Sequence, residues 1–310
     1  DERMEGFEEL KTCVEKYTSE HVSSITGISE EDLHAAARLY AKAEPAAILY
    51  TMGITQHITG TDNVKSCANL AMLCGNVGKV GGGVNPLRGQ NNVQGACDMG
   101  GLPNVFPGYQ AVTVDDVRKK FADAWGVEGF PSTPGLTITE MFSGGETGQI
   151  KAIYVMGENP VLSDPDKHHI EKGIEGLEFF VVQDIFLTET AELADVVLPA
   201  TCFAEKNGTV VNTERRVQRV RKAVEPTGEA REDTWIISEI SSRMGYTMPA
   251  TTPEEIMKEI NQLTPSYKGI TYERIEKGGI SWPCPDEDHP GTPVLHVGKF
   301  ARGKGLFFAI

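Results

Sequence analysis

The sequence predicts an α/β protein, a parallel-sheet αβα sandwich. Short, continuous apolar runs at 46–50, 150–156, 177–183 and 195–199 alternate with stretches of helical periodicity. Apolar runs of this kind are typical of strands buried on both faces, and strand–helix–strand order is typical of parallel pairing. Ligands of such sheets bind beyond the carboxyl ends of the strands, so loops 51–56, 157–163 and 183–188 are the expected binding loops.

The first part of the chain predicts one strand between two helices. Ser29 followed by three acidic residues is typical of a helix start, and the apolar positions after it form one face. The run 46–50 predicts a strand that ends in a polar turn. Residues 64–73 predict a second helix, which Gly75 and Asn76 end. Residues 82–113 have no periodicity and predict a long ordered loop.

The second part predicts three strands with helices between and after them. Helices are expected from Asp164 onward, at 188–194, at 231–244 and after Thr252, where an N-cap threonine precedes proline and an acid. The tail, 265–310, is rich in Pro and Gly and predicts little regular structure.

The segment 82–98 is unusual because its single arginine, Arg88, is followed by four carboxamides, which are framed by glycines: Gln90, Asn91, Asn92 and Gln94. Glycine allows close backbone approach, and amide side chains offer uncharged donors and acceptors. A guanidinium is a fixed cationic fork that suits a carboxylate or a phosphate. The segment therefore predicts a backbone laid against a large polar ligand, with Arg88 directed at an anion.

The charge and hydropathy exclude two classes of partner. The net charge is −15 and the isoelectric point is near 5.0, which argues against a nucleic-acid partner. A basic cluster at 215–222 is either a solvated face or a docking site for an acidic partner. No apolar run is long enough for a membrane span, and no signal peptide is visible, so we expect a cytoplasmic protein.

The residues alone contain no complete catalytic set. The six cysteines lack zinc or iron–sulfur spacing and predict buried thiols of a reducing compartment. The paired His168 and His169 favour surface histidines over metal ligands. Neither a dinucleotide fingerprint, nor a P-loop, nor a nucleophile elbow is present.

Three stretches nevertheless resemble the molybdopterin-dependent oxidoreductases, and in particular the formate dehydrogenase catalytic (alpha) subunits. They are 53–56 with 70–78, 84–100 with 107–110, and 182–199 continuing to Glu205. The resemblance implies formate oxidation to CO₂ at a molybdenum or tungsten centre held by two molybdopterin guanine dinucleotides. It also implies anaerobic metabolism, with electrons passed to a [4Fe–4S] cluster and then to an electron-transfer subunit that carries iron–sulfur or flavin centres.

The resemblance also implies roles for individual residues. Arg88 matches the arginine that orients formate. The positions that match contacts to the pterin dinucleotides are Met52, Gln56, Gln90, Asn159, Ser163, Gln183, Asp184, Thr188 and Asp233. Asp233 would accept hydrogen bonds from guanine. Three structural alternatives stay open: packing for Met52, packing or helix capping for Thr188, and an N-cap for Asp233.

The departures from the family predict an internal piece of a longer protein. The cysteines of the cluster, the cysteine or selenocysteine that binds the metal, and the closing C-terminal domain have no match here. The family layout implies parts of two dinucleotide-binding-like αβα domains. Residues 1–90 would be the C-terminal half of one, 91–295 the larger part of another, and 296–310 a linker toward the missing domain. The segment 82–98 would lie where the two domains meet, and the piece alone would be inactive.

Two alternatives to formate oxidation stay open. One is another reaction of the same superfamily, such as nitrate reduction or formylmethanofuran oxidation. The other is a non-catalytic nucleotide-binding or scaffold module that keeps the fold without the cofactor.

Overall fold

The computed structural model describes residues 2–310. Its α-helices are α1 (Phe7–Val14), α2 (Ser19–Thr26), α3 (Glu30–Lys42), α4 (Met52–Thr55), α5 (Gly60–Leu73), α6 (Val93–Asp98), α7 (Asp115–Trp125), α8 (Ile138–Glu146), α9 (Pro160–Ser163), α10 (Lys167–Glu175), α11 (Asp233–Arg243) and α12 (Pro253–Leu263). Its strands are β1 (Met4–Glu5), β2 (Ala47–Tyr50), β3 (Gly83–Pro86), β4 (Val105–Phe106), β5 (Gln110–Ala111), β6 (Ala152–Met156), β7 (Phe179–Asp184), β8 (Val196–Pro199), β9 (Gly208–Val211), β10 (Arg216–Val220), β11 (Ile280–Ser281) and β12 (Gly305–Leu306). Short 3₁₀ turns lie at Ala191–Leu193, Phe203–Glu205 and Pro265–Tyr267.

The chain folds into two compact units, and the first contains the residues up to Asn91 together with Thr292–Ile310. Its centre is a strand–helix–strand motif in which β2 and β3 pair in parallel and α5 lies between them in the chain. Helix α3 precedes β2 and begins as predicted, because the Ser29 hydroxyl accepts the N–H of Asp32 at 3.1 Å. The last segment joins this unit through parallel pairing of β12 with β1.

The second unit, Asn92–Gly291, has two sheets. Strands β6, β7 and β8 form a parallel sheet with β7 in the middle. Phe180 and Val182 of β7 are buried with Phe142 of α8 and Ile170 of α10 in one core. Four parallel strand pairs in the two units confirm the α/β fold class.

The second sheet is antiparallel, with the order β11–β10–β9. Its core contains Val217 from β10, Met257 from α12, and three residues of the predicted irregular tail: Tyr267, Ile270 and Ile275. The tail has little regular structure, as predicted, since it contains one 3₁₀ turn and the two-residue strands β11 and β12. What the sequence did not predict is that the tail packs into a core. Its apolar residues are too widely spaced to show a period, but they converge on one core.

Other sequence-based expectations also need correction. The loop 82–113 contains β3, α6 and the β4–β5 hairpin, and the helix expected at 188–194 is one 3₁₀ turn. The basic cluster at 215–222 contains β10, and Arg219 of β10 and Arg221, directly after it, both pair with Glu276. Complete burial on both faces is not found, since Phe179 of β7 is 47% exposed and Leu49 of β2 is 63% exposed.

The division into two molybdopterin-binding domains and a linker stays a prediction. Within residues 2–310, no helix is both long enough and apolar enough to cross a membrane.

Candidate functional site

In the first unit, the predicted site residues lie at the carboxyl ends of two neighbouring parallel strands. Met52 begins α4 two residues after β2 ends, and Arg88 follows β3 by two residues. The N–H of Leu87 donates to the carbonyl of Tyr50 at 2.8 Å, which extends the β2–β3 pairing to the residue before Arg88. The paired strands and the turns after them therefore fix the backbone positions of Met52 and Arg88.

The polar turn after β2 is held closely by backbone contacts. Asn63 donates from Nδ2 to the carbonyl of Ile54 at 3.0 Å. A Cβ on Gly60 would lie 2.0 Å from the carbonyl oxygen of Thr55, so only glycine allows this approach. Burial raises the pKa of the Tyr50 phenol, and the positive charge of Arg88 opposes this rise. The Arg88 guanidinium therefore lies close enough to the end of β2 to favour the ionised form of the Tyr50 phenol.

The four predicted residues of this unit, Met52, Gln56, Arg88 and Gln90, are exposed. Met52 is 53% exposed, so packing in the core of its unit does not explain it. Gln56 is the C-cap of α4, and its N–H donates to the carbonyl of Met52 at 2.9 Å. Exposed polar side chains at strand ends are able to meet a ligand without rearrangement of the core.

In the second unit, two of the predicted residues come into direct contact. Gln183, which is fully buried at the end of β7, donates from Nε2 to Asp233 Oδ1 at 2.6 Å. The two residues are far apart in sequence, and the fold brings α11 to the end of the parallel sheet. Glu232 is the N-cap of α11, so the N-cap interpretation of Asp233 is wrong.

Two residues that the sequence did not predict complete this cluster. Lys206 donates to Asp233 Oδ2 and, at 3.2 Å, to the carbonyl of Thr201. The Tyr154 hydroxyl donates to Gln183 Oε1. Burial raises the pKa of Tyr154, and the negative charge of Asp233 raises it further. The four side chains of Tyr154, Gln183, Asp233 and Lys206 are called the carboxylate cluster below.

A second polar group forms around Asn159, in the turn after β6. Its Oδ1 accepts from the Thr190 hydroxyl at 2.6 Å and from the Thr190 N–H at 3.2 Å. Its Nδ2 donates to Glu189 at 2.8 Å. Thr190 is fully buried, so Asn159 ties the turn after β6 to the segment after β7.

The remaining predicted residues bond within their own turns. Ser163 donates to Glu158 at 2.9 Å. Asp184 accepts the N–H of Ile185 at 2.6 Å. The Thr188 hydroxyl accepts the N–H of Ala191 at 3.2 Å, which is a capping contact. These contacts shape the strand-end loops and do not by themselves indicate a ligand.

Two observations bear on what the site residues could bind. Residues 2–310 contain no group of three or more His, Cys, Asp or Glu side chains that is able to hold a metal. The buried Thr201 hydroxyl beside Lys206 has no hydrogen-bond partner in the described part of the chain. An unpartnered buried hydroxyl of this kind indicates a polar group that the protein binds.

The sequence signal for the missed residues is weak. Lys206 directly follows the third motif, but no spacing rule links it to Asp233, 27 residues later. Tyr154 reads as an ordinary strand residue. Only the packing of α11 against the sheet brings them together.

Comparisons with known proteins identify the relatives of the chain. A family model described as Molybdopterin oxidoreductase matches residues 15–243. The F420-dependent formate dehydrogenase subunit alpha of Methanocaldococcus jannaschii is 55% identical over 313 residues, which cover 99% of this chain and 46% of that protein. Formate dehydrogenase H of Escherichia coli is 48% identical over 307 residues, which cover 98% of this chain and 43% of that protein.

A solved structure, acetylene hydratase from Pelobacter acetylenicus, is similar with a TM-score of 0.70 over 99% of this chain and 44% of that chain. At 20% identity, this similarity shows the fold alone. The chain spans less than half the length of the curated relatives it matches.

Proposed function

Since the chain belongs to the molybdopterin oxidoreductase family, we propose that it is part of a formate dehydrogenase catalytic subunit, which oxidises formate to CO₂. The observation that carries the proposal is the 55% identity, along 99% of this chain, to a protein named as a formate dehydrogenase alpha subunit. The exposed Arg88 at the end of a parallel strand adds chemical support, because a guanidinium fork suits the carboxylate of formate.

The cofactor of the family is a molybdopterin, and we propose the bis-guanine dinucleotide form with molybdenum or tungsten. The side chains of the second unit fit such a group, because the carboxylate cluster offers hydrogen-bond acceptors and donors, and Thr201 has an unpartnered hydroxyl. Asn159, Ser163, Gln183, Asp184, Thr188 and Asp233 would hold the nucleotide ends in this unit. In the first unit, Met52, Gln56 and Gln90 would line a pterin dinucleotide.

In this mechanism, the side chains bind and orient the substrate. When bound, the molybdenum or tungsten centre would act as the two-electron oxidant. Oxidation of formate releases CO₂, one proton and two electrons. Arg88 donates hydrogen bonds to the formate carboxylate and fixes its orientation, which lowers the entropic part of the barrier.

We further propose that the electrons leave through a [4Fe–4S] cluster to an electron-transfer subunit with iron–sulfur or flavin centres. A cytoplasmic enzyme of anaerobic metabolism agrees with the six cysteines, which are all free thiols.

The test of the function is Arg88→Ala in the full-length enzyme. We expect a higher KM for formate and a kcat lowered more than tenfold (about 1.4 kcal/mol), because the substrate loses its orienting cation. Steady-state kinetics with formate and an artificial electron acceptor measure both constants. Arg38→Ala, which removes an exposed arginine from α3 of the same unit, is the matched control. Near-normal constants for Arg88→Ala would refute the proposed role.

A further inference from the structure

We propose that Lys206 is a specificity-determining residue of the nucleotide site, and that Lys206 and Asp233 together select guanine. The two side chains form a row of one donor and two acceptors, which is the complement of the base-pairing edge of guanine. This inference rests on the proposed function, because the nucleotide in question is that of the cofactor.

The acceptors in this row are the two carboxylate oxygens of Asp233. Oδ1 already accepts from Gln183 at 2.6 Å, and Oδ2 accepts from Lys206. Each oxygen of an ionised carboxylate has about two acceptor positions, so one position on each oxygen remains for a ligand. Both oxygens are therefore held in place, and both are able to accept one further hydrogen bond.

The donor in the row is the ammonium group of Lys206. Two of its hydrogen bonds go to Asp233 and, at 3.2 Å, to the carbonyl of Thr201. An ammonium has three N–H donors, which leaves one for a ligand. The Lys206 side chain is 30% exposed and that of Asp233 is 26% exposed, so the pair is partly shielded from water and still reachable.

The orientation of the row depends on two neighbours. Gln183 is fully buried, and the Tyr154 hydroxyl donates to its Oε1. This contact fixes the carbonyl end of the amide toward Tyr154 and the NH₂ end toward Asp233. Because Gln183 and Lys206 both donate hydrogen bonds to Asp233, its carboxylate is held in the ionised form, which only accepts hydrogen bonds.

A cavity of the right size lies at the row. Lys206 and Asp233 line a space of about 230 Å³, with Gly208, Ile256 and Met257 among its other walls. Pockets for drug-sized ligands usually begin near ~300 Å³, so this space suits a single base rather than a whole dinucleotide.

The edges of the bases decide the selectivity. Guanine presents an acceptor at O6 and donors at N1 and the 2-amino group, which match Lys206 and the two oxygens of Asp233. Adenine presents its 6-amino donor where guanine has O6, and this donor would face the ammonium. Sites that hydrogen-bond a ligand group discriminate strongly against analogues that leave the buried partners unpaired.

The test uses the full-length catalytic subunit, purified without cofactor, and calorimetric titration with GDP and with ADP. We expect the wild type to bind GDP at least about tenfold tighter than ADP. Lys206→Met should reduce this preference to within about threefold, whereas Lys206→Arg should keep it, because the donor is restored. A loss of packing alone would weaken both nucleotides alike and would leave the ratio unchanged.

The control is Lys222→Met, which removes a lysine of the same unit with a similar exposure (29%) that pairs with Glu225 instead. If Lys206→Met fails to fold, Lys206→Gln takes its place, and its amide oxygen should favour ADP. An unchanged GDP-to-ADP ratio in the folded variant would overturn the role of Lys206. If the wild type binds neither nucleotide, the nucleotide assignment in the proposed function is itself wrong.

Discussion

Asp98 is a residue of the polar segment 82–98 whose role is internal support. It is fully buried and accepts hydrogen bonds from Gln94 at 2.7 Å, Tyr109 at 2.8 Å and Trp282 at 2.6 Å, with a further bond from Tyr267. Burial raises the pKa of Tyr267, and the negative charge of Asp98 raises it further. The carboxylate therefore ties α6 to the tail of the second unit.

We predict that Asp98→Asn lowers the free energy of unfolding by about 2–4 kcal/mol, because the amide offers fewer acceptors to buried donors. Asp123→Asn is the control, since Asp123 is 67% exposed and pairs with the exposed Lys119, and it should change stability by less than about 0.5 kcal/mol. Urea unfolding measures both. Equal effects of the two substitutions would contradict the structural role of Asp98.

At the residue scale, the motifs predicted candidates for the site but not their contacts. Arg88 and Gln183 stand in recognisable stretches, Asp233 was added by the resemblance to the family, and the fold brings Gln183 and Asp233 into contact. The sequence did not predict Lys206 and Tyr154 as site residues, because only the folded chain brings Lys206 to Asp233 and Tyr154 to Gln183.

At the level of elements, helices α8 and α10 cross in direct backbone contact beside the parallel sheet. A Cβ on Gly173 would lie 2.6 Å from the carbonyl oxygen of Phe142, and one on Gly145 would lie 2.3 Å from the carbonyl oxygen of Gly173. At each of the two positions, any side chain would collide with the backbone of the other helix, so glycine is required. Glycine is usually unfavourable inside a helix, so close packing is the physical reason for these two.

Gly173→Ala should therefore destabilise the protein by about 1–3 kcal/mol, since the backbones of the two helices must separate. Its gain in helix propensity, about 1 kcal/mol, offsets only part of this cost. The control Gly129→Ala adds a methyl group where nothing lies within 4 Å and φ is not positive. Thermal unfolding compares the variants, and an unchanged Tm for Gly173→Ala would refute the account.

Among the elements, strands with continuous apolar runs and helices with caps were predictable. The strands β2, β6, β7 and β8 lie within or beside the predicted runs, and α3 begins at its predicted N-cap. The antiparallel sheet β9–β10–β11 was missed, because Arg and Gln interrupt the apolar residues of β10 and because β11 has only two residues.

The whole chain spans less than half the length of its curated relatives. The parallel sheets at the centres of its two units have only two and three strands, and apolar residues in and beside them are exposed. Leu49 is 63% exposed in the first unit, and Phe186 is 72% exposed in the second.

We predict that the 310-residue chain, purified alone, holds less than about 0.1 molybdenum or tungsten per chain. The reason is that the chain spans less than half the length of its curated relatives, so it supplies only part of the contacts that such a centre would need. Elemental analysis beside the full-length enzyme, as the loaded control, measures the content. Stoichiometric metal in the chain alone would contradict this prediction.

The sequence by itself determined the family, the α/β fold class and the strand ends that carry the proposed site residues, because these follow from local apolar runs and motifs. Only the tertiary structure decided that Lys206 and Tyr154 join Gln183 and Asp233, and that Asp98 is a buried support. The physical reason is that hydrogen bonds and burial depend on distances between segments far apart in the chain, and local patterns carry no information about such distances.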